Sequence, residues 1–462
     1  MTSEIKTDYF VIGSGAMGMA FVDTLLDELP DADIVIVDRF AKPGGHWNSA
    51  YSFVTLHQPS AFYGVNSREL SRNLKAEIGL NKGLSDLATG VEILAYFEAV
   101  MRETFLGSGR VRYFPLSHYE GDGVFTHRLS GKSTQVKATK IVDCTHLTTR
   151  VPSTHIPNFT VADEVRFMPL NDLPSITDAP KGFTIIGGGK TGIDAVLWLL
   201  DNAVPAQNIR WIKSRDAWLL DRKHTQPFPE NFEDTIGNQA NMFEAIAESK
   251  TKSDMFDRLE NCGYFLRLDS TVRPTMFHGA TISEAELQEL RRVKDVVRKG
   301  RVGSITAQNI TFLNGRTEPT FGHVIVDCSA SSVDNFTIKP VFQGNLITAQ
   351  TTRAYQPVFS ASMIAWVEAN IEGEAAKNSL TAVVPLPDDL DTFIRMTAAN
   401  MMNQALWGKN KALRNWMREQ RLDGFSKLVS GVKSNETAKR EILKRLRHSA
   451  MPTMAKLQSF LN

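Results

Sequence analysis

Cysteine is scarce in this chain: three residues in 462, Cys144, Cys262 and Cys328, stand far apart. No Cys-x-x-Cys occurs, which excludes a redox-active dithiol and a zinc knuckle, and no metal site is expected. No apolar run reaches the roughly 18 residues a membrane span needs. The opening Thr2-Ser3-Glu4-Ile5-Lys6-Thr7 has no basic stretch leading into an apolar one, so no signal peptide is expected and the expected setting is a reducing cytoplasm. Neither sign of charge prevails. With 52 Lys and Arg against 51 Asp and Glu, the net charge is +1, which gives nucleic acid no basic surface to bind. What remains is an ordinary globular composition, 42% apolar and 22% charged, long enough for two or three domains.

The most informative stretch is Asp8 to Gly18. The apolar run Tyr9-Phe10-Val11-Ile12 ends in Gly13-Ser14-Gly15-Ala16-Met17-Gly18, and a helical pattern follows through Ala20, Phe21, Leu25 and Leu26. Gly-x-Gly-x-x-Gly between a strand and a helix permits a tight turn and close approach of backbone to a pyrophosphate. It also points the helix N-terminus at the anion. A second apolar run, Ile34 to Val37, ends in Asp38, 20 residues beyond Gly18, where a carboxylate accepts ribose hydroxyls. Arg39 follows it.

The pattern then returns. Phe183-Thr184-Ile185-Ile186 leads into Gly187-Gly188-Gly189-Lys190-Thr191-Gly192, a helix through Leu200, and a strand Ile209 to Lys213. Where the first copy has an acid, the second has Lys213-Ser214-Arg215. A carboxylate suits an unmodified ribose, and a cationic pair with a hydroxyl suits a 2′-phosphate. The first fold is therefore expected to hold FAD and the second NADPH in preference to NADH.

Two further segments echo each other: Lys140-Ile141-Val142-Asp143-Cys144-Thr145 and Val324-Ile325-Val326-Asp327-Cys328-Ser329. Both read as buried strands that return the chain from an insertion to the FAD sheet, with their cysteines as strand residues, not nucleophiles. The layout expected is α/β, with two Rossmann-like dinucleotide-binding domains and a helical end. Residues 1–150 would form the first part of the FAD domain and 151–325 an inserted NAD(P)H domain with a helical insertion. Residues 326–372 would return to the FAD domain, and 373–462 would be helical. Helices are expected over 93–105, 242–259 and 283–299, the last opened by the capping box Ser283 to Glu286. The basic C-terminal stretch from Lys427 to Lys456 reads as a solvated helix face, with an acidic partner or membrane surface as the alternative.

Past Asp38 comes Lys42-Pro43-Gly44-Gly45-His46-Trp47. With the twin motifs and Asp194, it resembles the Gly-Gly-x-Trp segment of the class B flavin-containing monooxygenases, a family that includes Baeyer–Villiger enzymes. The resemblance implies that Gly45, His46 and Trp47 lie along FAD. It also implies that Gly187, Gly189, Lys190, Thr191, Gly192 and Arg215 hold NADPH. Two departures stand out. The family's Phe-x-Gly-x-x-x-His is absent between Val151 and Lys181, and His57 and Gln58 stand where the family has an Asp. His57 and Gln58 are candidates for proton exchange or hydrogen bonding near the flavin.

A later element, Gly344 to Thr348 followed by Arg353, Tyr355, Gln356 and Pro357, reads as a strand, a loop and a helix N-terminus. Such an end would stabilise negative charge on the reduced flavin, with Arg353 as a further catalytic candidate. The activity implied is oxygenation of a small organic molecule by O2 through a C4a-(hydro)peroxyflavin after reduction by NADPH. A flavin reductase or dehydrogenase without oxygenation, and a non-catalytic dinucleotide sensor, remain as alternatives; a homo-oligomer is possible in each case.

Overall fold

The computed structural model describes residues 3–147, 149–330, 333 and 337–462. Its largest sheet is built on β1 (Ser3–Ile12), which pairs in parallel with β2 (Ile34–Val37) on one side and with β4 (Ser133–Asp143) on the other. Outside them lie β3 (Val111–Phe114) and the short β9 (Leu346–Thr348), both parallel. Four consecutive fully buried residues in β2 mark it as a strand covered on both faces, as parallel sheets require. Helix α1 (Ala16–Glu28) crosses from β1 to β2 and packs on α2 (Pro357–Asn370). Helix α2 is apolar around its whole circumference, with every residue from Val358 to Glu368 buried, so it can only be a core helix. Burying each of its large aliphatic and aromatic side chains contributes about 1.5–3 kcal/mol. A charge at Met363 or Ile364 would therefore break this layer.

A second, separate sheet carries β5 (Phe167–Pro169), β6 (Phe183–Ile186), β7 (Ile209–Ile212) and β8 (Val324–Asp327), with Asp295–Val297 at its edge. All its pairings are parallel. Helix α3 (Lys190–Asp201) follows β6 as α1 follows β1. The two folds repeat in detail. The Cys144 amide donates to Ile12 O at 3.0 Å and the Cys328 amide to Ile186 O at 2.8 Å. Asp143 accepts from the amide and hydroxyl of Thr145, as Asp327 does from Ser329.

This pairing corrects one expectation. Val324–Asp327 does not return the chain to the FAD sheet; it lies beside β6 in the second sheet, and the first sheet is regained only with the hairpin Phe342–Gln343 and Leu346–Thr348. A boundary at 325/326 thus falls inside β8. The helical readings also need trimming. The segment 283–299 is helical only over Glu284–Leu290, because the β-branched pair Val296-Val297 joins the second sheet. The 242–259 stretch is two helices, Asn238–Ala247 and Lys252–Asn261, the second capped by Thr251. The segment 93–105 is α-helical to Ala99 and continues as a π-turn.

Beyond residue 373 the chain is helical, as expected. Leu390–Lys409 buries Phe393 in a cluster with Phe256, Phe265 and Phe277, ring centroids 5.0–5.6 Å from it. The basic helix Thr437–Leu461 is not free: Leu443, Thr453 and Leu457 are buried, and Arg445 pairs with Glu244. Among the described residues, no helix is long and apolar enough to cross a membrane.

Candidate active site

Both glycine turns and the N-terminus of α2 open onto one cavity of about 1190 Å³. Pockets for single small ligands run to roughly 300–1,000 Å³, so this one has room for more than one. Its lining includes Gly13, Gly15, Ala16, Met17, Asp38 and Arg39 from the first fold, then Gly45, His46, Trp47, His57 and Gln58. Across it stand Gly187, Gly189, Lys190, Thr191 and Arg215 from the second fold, and Pro357 and Val358 from α2. Tertiary packing thus assembles most of the residues singled out from sequence.

The third glycine of each motif is placed differently. A Cβ on Gly18 would overlap the Gly13 carbonyl, and one on Gly192 would overlap that of Gly187. These two glycines let helix press on strand and do not face the cavity. Gly15 packs against Gly45, whose Cβ would come within 2.9 Å of the Gly15 Cα.

The helix ends show how the cavity can hold anions. Helices beginning at Gly90, Lys252, Glu284, Leu390 and Lys411 have side-chain caps from Thr89, Thr251, Ser283, Asp389 and Asn410. The three helices that start at the cavity have none, and neither do those beginning at Asn238, Glu374, Phe425 and Thr437; what sets the three apart is the cavity in front of them. Their first-turn amides lack intrahelical acceptors and are open to a ligand. At the end of β2, Asp38 accepts from the Ser14 amide (2.6 Å) and hydroxyl (2.9 Å) on one oxygen and from the Phe40 amide (2.8 Å) on the other. Oδ2 is thereby saturated, and Oδ1 keeps one lone pair for the cavity that Asp38 lines.

Between the folds, Lys190 reaches both carboxylate oxygens of Asp194 at 2.5 Å, and the Tyr51 hydroxyl donates to Asp194 Oδ2 at 2.5 Å. Burial, with Asp194 adding to it, holds the Tyr51 hydroxyl well above its usual range. His57 follows on the same loop. Its carbonyl accepts from Arg222 Nε at 2.9 Å, and Arg222 is itself fixed by Glu286 and Thr281. Burial, with the charges of Lys190 and Arg222, pushes the His57 imidazole well below its ordinary value. Burial likewise pushes His46 down to about 4. Both imidazoles are thereby held neutral at pH 7, which favours hydrogen bonding over proton exchange for His57. Trp47 is steadied by a 2.7 Å hydrogen bond from Nε1 to the Tyr63 hydroxyl.

Besides Gly18 and Gly192, three expected site residues do not reach the cavity. Lys213, 4% exposed, pairs with Asp216 at 3.0 Å, and Asp216 also holds Arg298. It is a buried strut, not a phosphate ligand. Arg353 is bound to Asp423, to Gln356 Oε1 at 3.2 Å, and lies 3.9 Å over the Phe359 ring. Gln356 is buried beside it. Residues that sequence reading did not single out also line it, among them Phe62, Tyr63, Met276, His278, the run Val384 to Asp388, and Met396. Only the strand pattern around Met276 and the Pro-rich turn at Pro385 were visible signals, and neither indicates a cavity.

Two linked Rossmann-like folds, each with a helix N-terminus aimed at a shared cavity, define a two-dinucleotide-fold α/β architecture. Comparison with solved structures bears this out. Cyclohexanone monooxygenase bound to cyclohexanone, in its rotated conformation, matches with a TM-score of 0.51 at 13% identity over 88% of this chain and 99% of that one. That likeness is one of fold. No protein-family profile matches the chain. In sequence, it is 43% identical over 427 residues to the uncharacterized proteins Rv2000 of Mycobacterium tuberculosis and Mb2023 of Mycobacterium bovis, covering 92% of this chain and 79% of each relative. The chain belongs to the same family as these mycobacterial proteins.

Proposed function

We propose that this protein is an FAD-dependent, NADPH-using oxidoreductase that oxygenates a small organic molecule. The observation that carries the reading is the single cavity onto which two uncapped glycine-turn helices and the N-terminus of α2 open. Gly13, Gly15, Ala16 and Met17 would cradle the FAD pyrophosphate, with Asp38 on the ribose and Arg39 beside it. Gly45, His46 and Trp47 would line the flavin. Gly187, Gly189, Lys190, Thr191 and Arg215 would hold NADPH. Bound there, a flavin would supply the redox and oxygen chemistry, with NADPH as the electron donor.

The chain's own contribution is placement and exclusion of water. The open amides of α2 would stabilise negative charge on a reduced ring. His57, neutral and fixed through its carbonyl, can donate or accept a hydrogen bond without adding charge. Gln58 offers an amide beside it. Phe62, Leu386, Pro387 and Met396 give the cavity apolar walls suited to a small organic substrate and to keeping water from the reacting centre.

The test is isotopic. With ¹⁸O₂, NADPH and a panel of small ketones, sulfides and amines, one labelled oxygen should enter a product for each NADPH consumed. Hydrogen peroxide equal to the NADPH consumed, with every candidate, would overturn oxygenation. It would leave a second reading, a flavin reductase that does not oxygenate. One observation favours that reading: no Phe-x-Gly-x-x-x-His lies between Val151 and Lys181.

A further inference from the structure

With Lys213 withdrawn into its pair with Asp216, Arg215 stands at the end of β7 without a lysine beside it. Arg215 lines the cavity and forms no ion pair among the described residues. Beside Arg301, the ionisable group that the fold brings to the same wall is His278. It lies on the strand Met276–Ile282, which runs parallel to Ala217–Asp221, two residues past Arg215. The register between these strands slips. Trp218 pairs with Phe277 but Leu220 with Thr281, so His278, Gly279 and Ala280 stand opposite Leu219 alone. Gly279 takes the positive φ of 71° that the bulge requires. All three bulged residues line the cavity with Arg215. A bulge of this kind re-aims a side chain out of the ladder, and the one it re-aims is an imidazole.

We propose that His278 and Arg215 together form the 2′-phosphate subsite, so that discrimination between phosphorylated and unphosphorylated nucleotides depends on pH. This rests on the reading of the second fold as the NADPH site. Facing His278 are Asp388, with Oδ1 3.6 Å from Nδ1, and the Arg215 charge. The next carboxylate, Asp389, is engaged by the amide and hydroxyl of Thr392. Protonated, His278 balances Asp388 and offers a second cation to the phosphate. Neutral, it leaves Asp388 facing a dianion across the site with one cation fewer to offset it, Arg215 and Arg301 being the arginines of that wall. Burial and Arg215 draw His278 below its ordinary value while Asp388 opposes them, and its side chain is 43% exposed, so it exchanges protons with solvent. Binding of a 2′-phosphate therefore takes up a proton, and affinity for it falls as pH rises.

Calorimetric titration of the FAD-loaded protein with 2′,5′-ADP and with 5′-ADP, between pH 6 and 8.5, reads this without turnover. Two buffers of different ionisation enthalpy would count the protons taken up. The preference for 2′,5′-ADP should fall about tenfold across that range, with proton uptake on binding. In His278→Gln the fall should vanish, since the phosphate's own ionisation acts in the opposite direction. His278→Lys should keep a strong preference at every pH, and Asp388→Asn should strengthen it. A wild-type pH profile retained in His278→Gln would overturn the proposal while leaving the NADPH site standing. Failure of either nucleotide to bind would overturn the reading of the second fold itself.

Discussion

Arg353 and Asp423 form an ion pair in which the guanidinium and carboxylate are 9% and 1% exposed, sealed between the loop that leads into α2 and a turn of the C-terminal segment. Arg421, two residues before Asp423, donates to the carbonyls of Ala61 (2.8 Å), Tyr63 (2.9 Å) and Val65. One turn, 421–423, therefore grips two of the loops that wall the cavity. Replacing one partner of a buried pair strands the other charge, at a cost of about 3–5 kcal/mol. Asp423→Asn should lower unfolding stability in urea by that order, and the double change Arg353→Met, Asp423→Leu should recover most of it. A single-variant loss below about 1 kcal/mol would show that the pair does not hold the loops.

Asp38 should set FAD affinity. Its two oxygens already accept three hydrogen bonds from Ser14 and Phe40, and the ribose would add a charge-assisted one worth about 1.5–3 kcal/mol. Asp38→Ala should weaken FAD binding by roughly 10- to 100-fold, read by quenching of flavin fluorescence as FAD is added to apoprotein. An unchanged affinity would remove the ribose from this strand end.

Acid should destabilise the protein through His46 and His57. Both are neutral when folded, with values depressed below that of the unfolded chain. Below about pH 6.5 the unfolded chain binds protons that the folded one does not, so stability falls as pH drops through that point and is level above it. At pH 5 each imidazole would cost at most about 2 kcal/mol, less where water in the cavity reaches the ring. Urea unfolding at pH 7.5 and 5 should show the loss, and His57→Gln should lessen it. A stability independent of pH over this span would contradict the burial of both rings.

How far the sequence carries depends on how local the signal is. The two glycine turns, Asp38 and the N1 proline of α2 are encoded within a few residues each, and all stand in the structure where the pattern places them. Lys213 was misread because β7 ends at Ile212; past it the chain turns, so Lys213 and Arg215 no longer share a face, and Asp216 captures the lysine. Arg353 was misread because its partner lies 70 residues away. Val324–Asp327 was misassigned because both sheets use the same Val/Ile-Asp-Cys strand, and only pairing tells which sheet owns it. The bulge that exposes His278 depends on the strand beside it and leaves no mark on its own segment beyond Gly279.

The thiols should be bystanders. Burial pushes Cys144 and Cys328 far up, and each sits at a strand end beneath a glycine turn. Cys144→Ser with Cys328→Ser should leave NADPH oxidation within about twofold of wild type, and neither native thiol should react with an aromatic disulfide reagent at pH 8. Rapid labelling of either, with loss of activity, would point to dithiol or thiolate chemistry in its place.

The central claim is that one cavity brings a flavin and its reductant together. The most direct measurement is the visible spectrum of the purified protein, supplied with FAD and then mixed with NADPH under nitrogen. The account predicts retained flavin at close to one per chain, bleached within a single turnover by NADPH and more slowly by NADH. A protein that stays colourless when offered FAD, or whose bound flavin neither nucleotide reduces, would contradict it.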